Sequence, residues 1–75
     1  MDTVINRHAT RALQNNRYLN PGIRCRTEGR RVFIEGDVIS YFEKQMAQES
    51  LRAIEGILEI INELRVLGRS IRIDG

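Results

Sequence analysis

The sequence predicts an α+β fold in the order helix, strand, strand, helix, strand, with two helices packed on one face of a three-stranded mixed sheet. Three observations predict this fold. Apolar residues recur at helical spacing in two segments, side chains alternate in the segments between and after them, and a glycine-containing turn joins the first two alternating segments. All 75 residues are expected to form a single domain, with a core over residues 2–67 and a tail or short edge strand over residues 68–75.

The first helix is expected to begin at Asp2 or Thr3, because either side chain can cap the free amides of a helix start, and to reach about Asn16. Its predicted inward stripe is Ile5, Ala9, Ala12 and Leu13. The turn-forming stretch Asn20-Pro21-Gly22 then separates this helix from the strands.

A β-hairpin is predicted next, with strands over residues 23–27 and 31–38 and a turn at Glu28-Gly29-Arg30. The predicted inward face of its second strand is Val32, Ile34, Gly36 and Val38. The glycine on this face leaves room for another part of the chain to approach the sheet closely. Cys25 is expected to point into the core, and as the only cysteine it can form no internal disulfide.

The second helix is predicted to start at Ser40, which with Glu43 has the spacing of a capping box, and to close at Gly56. Its predicted buried stripe is Phe42, Met46, Ala47, Ser50, Leu51 and Ile54. Residues 60–67 alternate again and predict a third strand, which a right-handed crossover places parallel to its partner.

The composition argues against catalysis. One histidine and one cysteine supply no nucleophilic constellation, and the sequence has no metal-ligand cluster or phosphate-binding loop, so we expect no enzyme activity, metal or cofactor. No apolar run approaches the roughly 20 residues of a membrane span, and the N-terminus lacks the pattern of a secretory signal. A complete chain of this kind would be cytoplasmic, whereas an excised domain leaves the compartment open.

Arginine dominates the basic residues, since it accounts for eleven of the twelve. Residues 1–34 hold seven arginines and two acids, for a charge of +5, whereas residues 35–75 hold five basic and eight acidic residues, for −3. Such an arginine-rich half can bind an anionic surface, or it can pair with the acidic half of its own fold or of a second copy.

The candidate binding surface is the sheet face that the helices leave open, together with the hairpin. Its predicted residues are Arg24, Arg26, Arg30, Arg31, Phe33, Ile61 and Arg65. Arginines beside apolar side chains suit an anionic phospholipid surface, and the mixed charges also suit a protein partner or a homodimer. Internal Arg–Glu pairs on a solvated face are the alternative without function. Nucleic acid is disfavoured, because only Phe33 is placed to stack on a base and the acidic half repels phosphate.

The stretch GRRVFIEGDVISYFEKQMAQESLRAIEGILEIINELRV is similar to the signature of the BON domain, a small module of bacterial osmotically induced and nodulation-related proteins. The similarity spans roughly residues 2–66, and the residues that carry it are Val32, Ile34, Gly36, Val38, Gly56, Ile57, Ile60, Asn62, Leu64 and Val66. The resemblance implies an αββαβ fold, no catalysis, and attachment to phospholipid membranes or partner proteins in the cell envelope or periplasm. It implies no particular binding residues, because the matching positions belong to the core and the turns.

Overall fold

The computed structural model describes residues 1–67 as two helices and one three-stranded sheet. The elements are α1 (Asp2–Asn15), β1 (Arg24–Glu28), β2 (Arg31–Val38), α2 (Tyr41–Leu51) and β3 (Glu59–Val66). β2 lies in the centre, with β1 antiparallel to it on one side and β3 parallel to it on the other. The predicted α+β class, element order and mixed sheet are therefore confirmed. The predicted tail or edge strand at 68–75 lies outside the described residues.

The core lies between the two helices and one face of the sheet. Its side chains, each at most 7% exposed, are Ile5, Ala9, Leu13, Leu19, Val32, Ile34, Val38, Ala47, Leu51 and Leu64. Val32 and Ile34 are completely buried, whereas Phe33 between them lies on the opposite, open face and is half-buried. The predicted inward face of β2 is thus confirmed, and the hydrophobic effect of burying these residues is the main force holding the helices to the sheet.

The hairpin turn is fastened to the start of α1. Gly29 and Arg30 have φ angles of 58° and 60°, the left-handed pair that a two-residue turn of type I′ requires. The carboxylate of Asp2 accepts hydrogen bonds from both of their amides, at 2.8 and 2.9 Å. The prediction that Asp2 or Thr3 caps α1 is therefore wrong: Met1 occupies the cap position without a side-chain bond, because Asp2 is engaged with the turn.

Gly36 permits a close backbone contact, as its position on the inward face of β2 predicted. Its φ angle is 137°, and a Cβ atom there would lie 3.2 Å from both the carbonyl oxygen of Gly22 and the Cα atom of Ile23. The segment that leads into β1 therefore packs directly on the backbone of β2. Only a residue without a side chain fits at this position.

α2 begins as predicted, with the Ser40 Oγ accepting a hydrogen bond from the Glu43 amide at 3.1 Å. The other half of the predicted capping box differs, because the Glu43 carboxylate accepts from the backbone amides of Ile39 and Asn20. α2 ends at Leu51, so the predicted end at Gly56 is wrong. The chain has to turn back after Leu51, because β3 starts beside the start of β2, where the Leu58 amide donates to the Arg30 carbonyl at 2.8 Å. Gly56 does have a positive φ of 95°, but it serves this return turn.

Most of the predicted inward stripe of α2 is confirmed, since Ala47 and Leu51 are buried and Met46 and Ile54 pack against the core, but its first residue is not. Glu43, Ala47 and Leu51 are buried, whereas Phe42 is 73% exposed, so its assignment to the core is wrong. The burial of position 43 in place of position 42 has a specific cause. The buried carboxylate of Glu43 finds backbone amide donors in the interior, and the neighbouring position 42 is consequently turned towards solvent.

Candidate functional site

The open sheet face carries a central row of three side chains that crosses all three strands. Arg26 of β1 lies opposite Phe33 of β2, which lies opposite Ile61 of β3. The Arg26 guanidinium carbon is 4.3 Å from the centroid of the Phe33 ring, within the range of a cation–π contact. The rows on either side are Arg24, Glu35 and Glu63, and Glu28, Arg31 and Glu59.

Most of the arginines on this face are paired with acids of the same face. The ion pairs are Arg26–Glu28 at 3.0 Å, Arg31–Glu59 at 3.5 Å and Arg65–Asp37 at 3.1 Å. The hydrogen bond with Glu28 raises the pKa of Arg26, so this guanidinium stays charged. All three pairs are solvent-exposed, and each contributes about 0–1 kcal/mol to stability.

The structure brings six of the seven predicted site residues onto the open face and places Arg30 in the hairpin turn at its edge. The four arginines of the face are accompanied by five acids, Glu28, Glu35, Asp37, Glu59 and Glu63. Four positive charges and five negative charges leave the face at −1. Its charge pattern is mixed rather than basic.

A second surface, which the sequence pattern does not predict, lies where β2 ends and α2 begins. It consists of four large side chains that are 73–77% exposed, and we call it the tip: Tyr18, Ile39, Tyr41 and Phe42. Ile39 lies in the short turn between β2 and α2, and Tyr41 and Phe42 are the first two residues of α2. Tyr18 comes from the loop between α1 and β1. Exposed apolar side chains clustered in this way commonly mark an interaction site.

Glu43 holds the two halves of the tip together. One carboxylate oxygen accepts a hydrogen bond from the Asn20 amide at 2.7 Å, and the other accepts one from the Ile39 amide at 3.0 Å. Glu43 is only 7% exposed, so these charge-assisted bonds lie away from water and are strong. The side-chain amide of Asn20 also donates to the Asp37 carbonyl at 3.3 Å. The loop that bears Tyr18 is therefore fixed beside the turn that bears Ile39.

The surroundings of the tip are basic. Arg17 precedes Tyr18 and is exposed, and Lys44 lies one helical turn after Tyr41. Neither residue takes part in the ion pairs found within residues 1–67. Of the nearest acids, Glu43 is buried and Asp37 is paired with Arg65. The tip therefore combines apolar side chains with two cations.

One signal in the sequence could have revealed the tip. Ile39, Tyr41 and Phe42 stand almost together, whereas a helix that packs on a sheet needs its apolar residues three or four apart. The spacing of four residues between Phe42 and Met46 predicts a core position for Phe42. A glutamate is normally expected on the solvent side of a helix, so the sequence does not show that position 43, and not position 42, faces the interior.

The family model of the BON domain matches residues 1–68. The chain belongs to the BON domain family. Members of this family are non-enzymatic domains. A comparison with curated proteins found no match. The BON domain assignment thus agrees with the αββαβ order and the two-helix, three-strand architecture described above.

Two further observations bound the chemistry of this BON domain. Within residues 1–67, no three His, Cys, Asp or Glu side chains come together as a group that could hold a metal ion. Over the same part of the chain, no helix has the length and apolar character needed to cross a membrane.

Proposed function

We propose that this BON domain is a non-catalytic binding module that attaches to an anionic phospholipid surface through its tip. The observation that carries the proposal is the tip itself: four large, mostly exposed side chains held in place by a buried carboxylate, with two cations beside them. Attachment to phospholipid is also what the family resemblance implies.

The side chains of the tip suit the boundary between headgroups and acyl chains. Tyrosine has an apolar ring and a polar hydroxyl, so Tyr18 and Tyr41 can bury their rings while their hydroxyls remain among the headgroups. Phe42 and Ile39 have no polar group and can go deeper. Each of the two neighbouring cations, Arg17 and Lys44, would add about 1 kcal/mol near an anionic surface.

The open sheet face supports a second candidate function, which is binding of a partner protein. Its charge of −1 and its internal ion pairs suit an anionic lipid poorly, whereas alternating charges around the Phe33–Ile61 pair suit a protein surface of complementary charge. We therefore propose that the seven residues predicted from the sequence contact a partner protein.

The test compares two matched substitutions, Phe42→Ser at the tip and Phe33→Ser on the open face, in co-sedimentation with phosphatidylglycerol and phosphatidylcholine vesicles. We expect retention on phosphatidylglycerol vesicles that weakens as salt is added. Full burial of a phenylalanine is worth about 1.5–3 kcal/mol, and Phe42 is 73% exposed, so Phe42→Ser should weaken binding by roughly 6- to 40-fold. Phe33→Ser should leave vesicle binding unchanged.

Two results would refute this assignment. Absence of retention at low salt would rule out phospholipid attachment altogether. A loss of vesicle binding in Phe33→Ser, with Phe42→Ser unaffected, would move the lipid contact to the open sheet face. Circular dichroism of each variant checks that the fold is intact.

A further inference from the structure

The exposed apolar side chains of this domain are divided between its two ends. The eight large ones within residues 1–67 are Tyr18, Ile39, Tyr41, Phe42 and Leu67 at the end of β2, and Met1, Val4 and Leu58 at its start. Hydrogen bonds define the two ends: the Leu67 amide donates to the Val38 carbonyl, and the Leu58 amide donates to the Arg30 carbonyl. The sides of the molecule between these ends carry no such residue among those described.

The end opposite the tip contains an apolar cleft of about 650 Å³. It lies between the start of α1 and the return turn after α2, and its lining residues are Met1, Val4, Ile5, His8 and residues 53–56. The floor of the cleft is tightly packed, since a Cβ atom at Gly56 would lie 3.2 Å from the Ile5 Cδ1 atom. Clefts that bind small ligands have volumes of about 300–1,000 Å³, so this open cleft has room for an aromatic side chain.

The cleft and the tip are both apolar, and each has a charged side chain that can pair with one on the other, although Met1 and His8 also line the cleft. Glu55 lines the cleft, is exposed, and takes no part in the ion pairs of residues 1–67. The tip has Arg17 and Lys44 beside its apolar side chains. An aromatic side chain of the tip that enters the cleft would therefore bring a cation towards Glu55.

We infer that the tip of one copy seats in the cleft of a second copy, so that the domains associate head to tail when no membrane occupies the tip. The contact has to be intermolecular, because tip and cleft lie at opposite ends of the eight-residue strand β2, about 23 Å apart along its axis. It joins two different patches, so every assembly that does not close into a ring keeps one free tip and one free cleft. The inference rests on the tip of the proposed function and adds a competing occupant for it.

The first measurement is the weight-average mass by sedimentation equilibrium over increasing protein concentration. Head-to-tail association predicts a mass that rises without a plateau at the dimer, because the contact does not close on itself. Val4→Glu in the cleft and Phe42→Ser at the tip should each weaken association roughly tenfold or more, as loss of a central apolar contact does. Both positions are exposed, so both variants should remain folded.

Charge reversal supplies the decisive comparison. Lys44→Glu and Glu55→Lys should each weaken association, while an equimolar mixture of the two variants, or the double variant, should regain it. Glu63→Lys makes the same change of charge on the open sheet face and should have no effect. A change in fold stability could not produce recovery upon mixing.

Three outcomes would overturn the inference: a monomer at every concentration, a plateau at the dimer that responds to tip variants but not to Val4→Glu, or no recovery in the mixture. Vesicle co-sedimentation separates this failure from that of the proposed function. Val4→Glu should still bind phosphatidylglycerol vesicles as the parent does, whereas Phe42→Ser should weaken both vesicle binding and self-association. Self-association without vesicle binding would refute phospholipid attachment alone.

Discussion

Replacing Gly36 by alanine should destabilise this domain more than the same replacement at Gly22 or Gly29, which lie in turns. Two effects add. The φ angle of 137° is strained for a residue with a side chain, at about 1–3 kcal/mol, and the new methyl group would lie 3.2 Å from two backbone atoms that cannot move without shifting the loop before β1. Together we expect a loss of about 2–4 kcal/mol in the free energy of unfolding.

Thermal and urea denaturation followed by circular dichroism measure this loss. Since 1 kcal/mol shifts Tm by about 4–8 °C in a domain of this size, Gly36→Ala should lower Tm by roughly 10–30 °C. Gly22→Ala is the matched control. A Cβ atom there would meet only the side chain of Asn20, at 3.2 Å, and Gly22 has no positive φ. If both variants had the same Tm as the parent, the close packing of the loop on β2 would be wrong.

Two further predictions concern the second helix. In Glu43→Gln, one of the two backbone amides faces an NH₂ donor instead of a carboxylate oxygen. The free energy of unfolding, measured by urea denaturation, should fall by about 1–3 kcal/mol. Vesicle binding should also weaken, because the two parts of the tip are no longer held together. Equal vesicle affinity in the folded variant would show that the tip needs no such anchoring. Leu51→Ala should cost about 2–5 kcal/mol, whereas Phe42→Ala should stay within about 0.5 kcal/mol of the parent. A large loss of unfolding free energy in Phe42→Ala would show that Phe42 is part of the core.

The sheet could be predicted from the sequence because its signals are local. Alternation at Val32, Ile34 and Val38 fixes which face of β2 is buried, and a two-residue turn with glycine fixes the antiparallel partner. The end of α2 was harder to predict than its start. Ser40 marks its start by its own chemistry, but its end depends on where β3 has to begin, and this is a property of the whole fold.

The tip could not be predicted because it depends on a long-range contact. Nothing near Glu43 in the sequence shows that the Asn20 amide, 23 residues away, will bind its carboxylate. Without that contact, a glutamate is assigned to the solvent side and its neighbour Phe42 to the core. The open face shows the opposite case, since six of its seven predicted residues lie on it, while the pairing of most of its arginines with particular acids became visible only from the structure.

The anchoring of the tip has a consequence for how this domain could be diversified. Glu43 grips main-chain amides, which every residue except proline possesses, so the scaffold places almost no demand on the side chains at positions 18, 39, 41 and 42. These positions can be randomised in a library while the surrounding loops keep their conformation. The same scaffold could thus bind new ligands, as other small scaffolds do when the residues of their binding loops are exchanged.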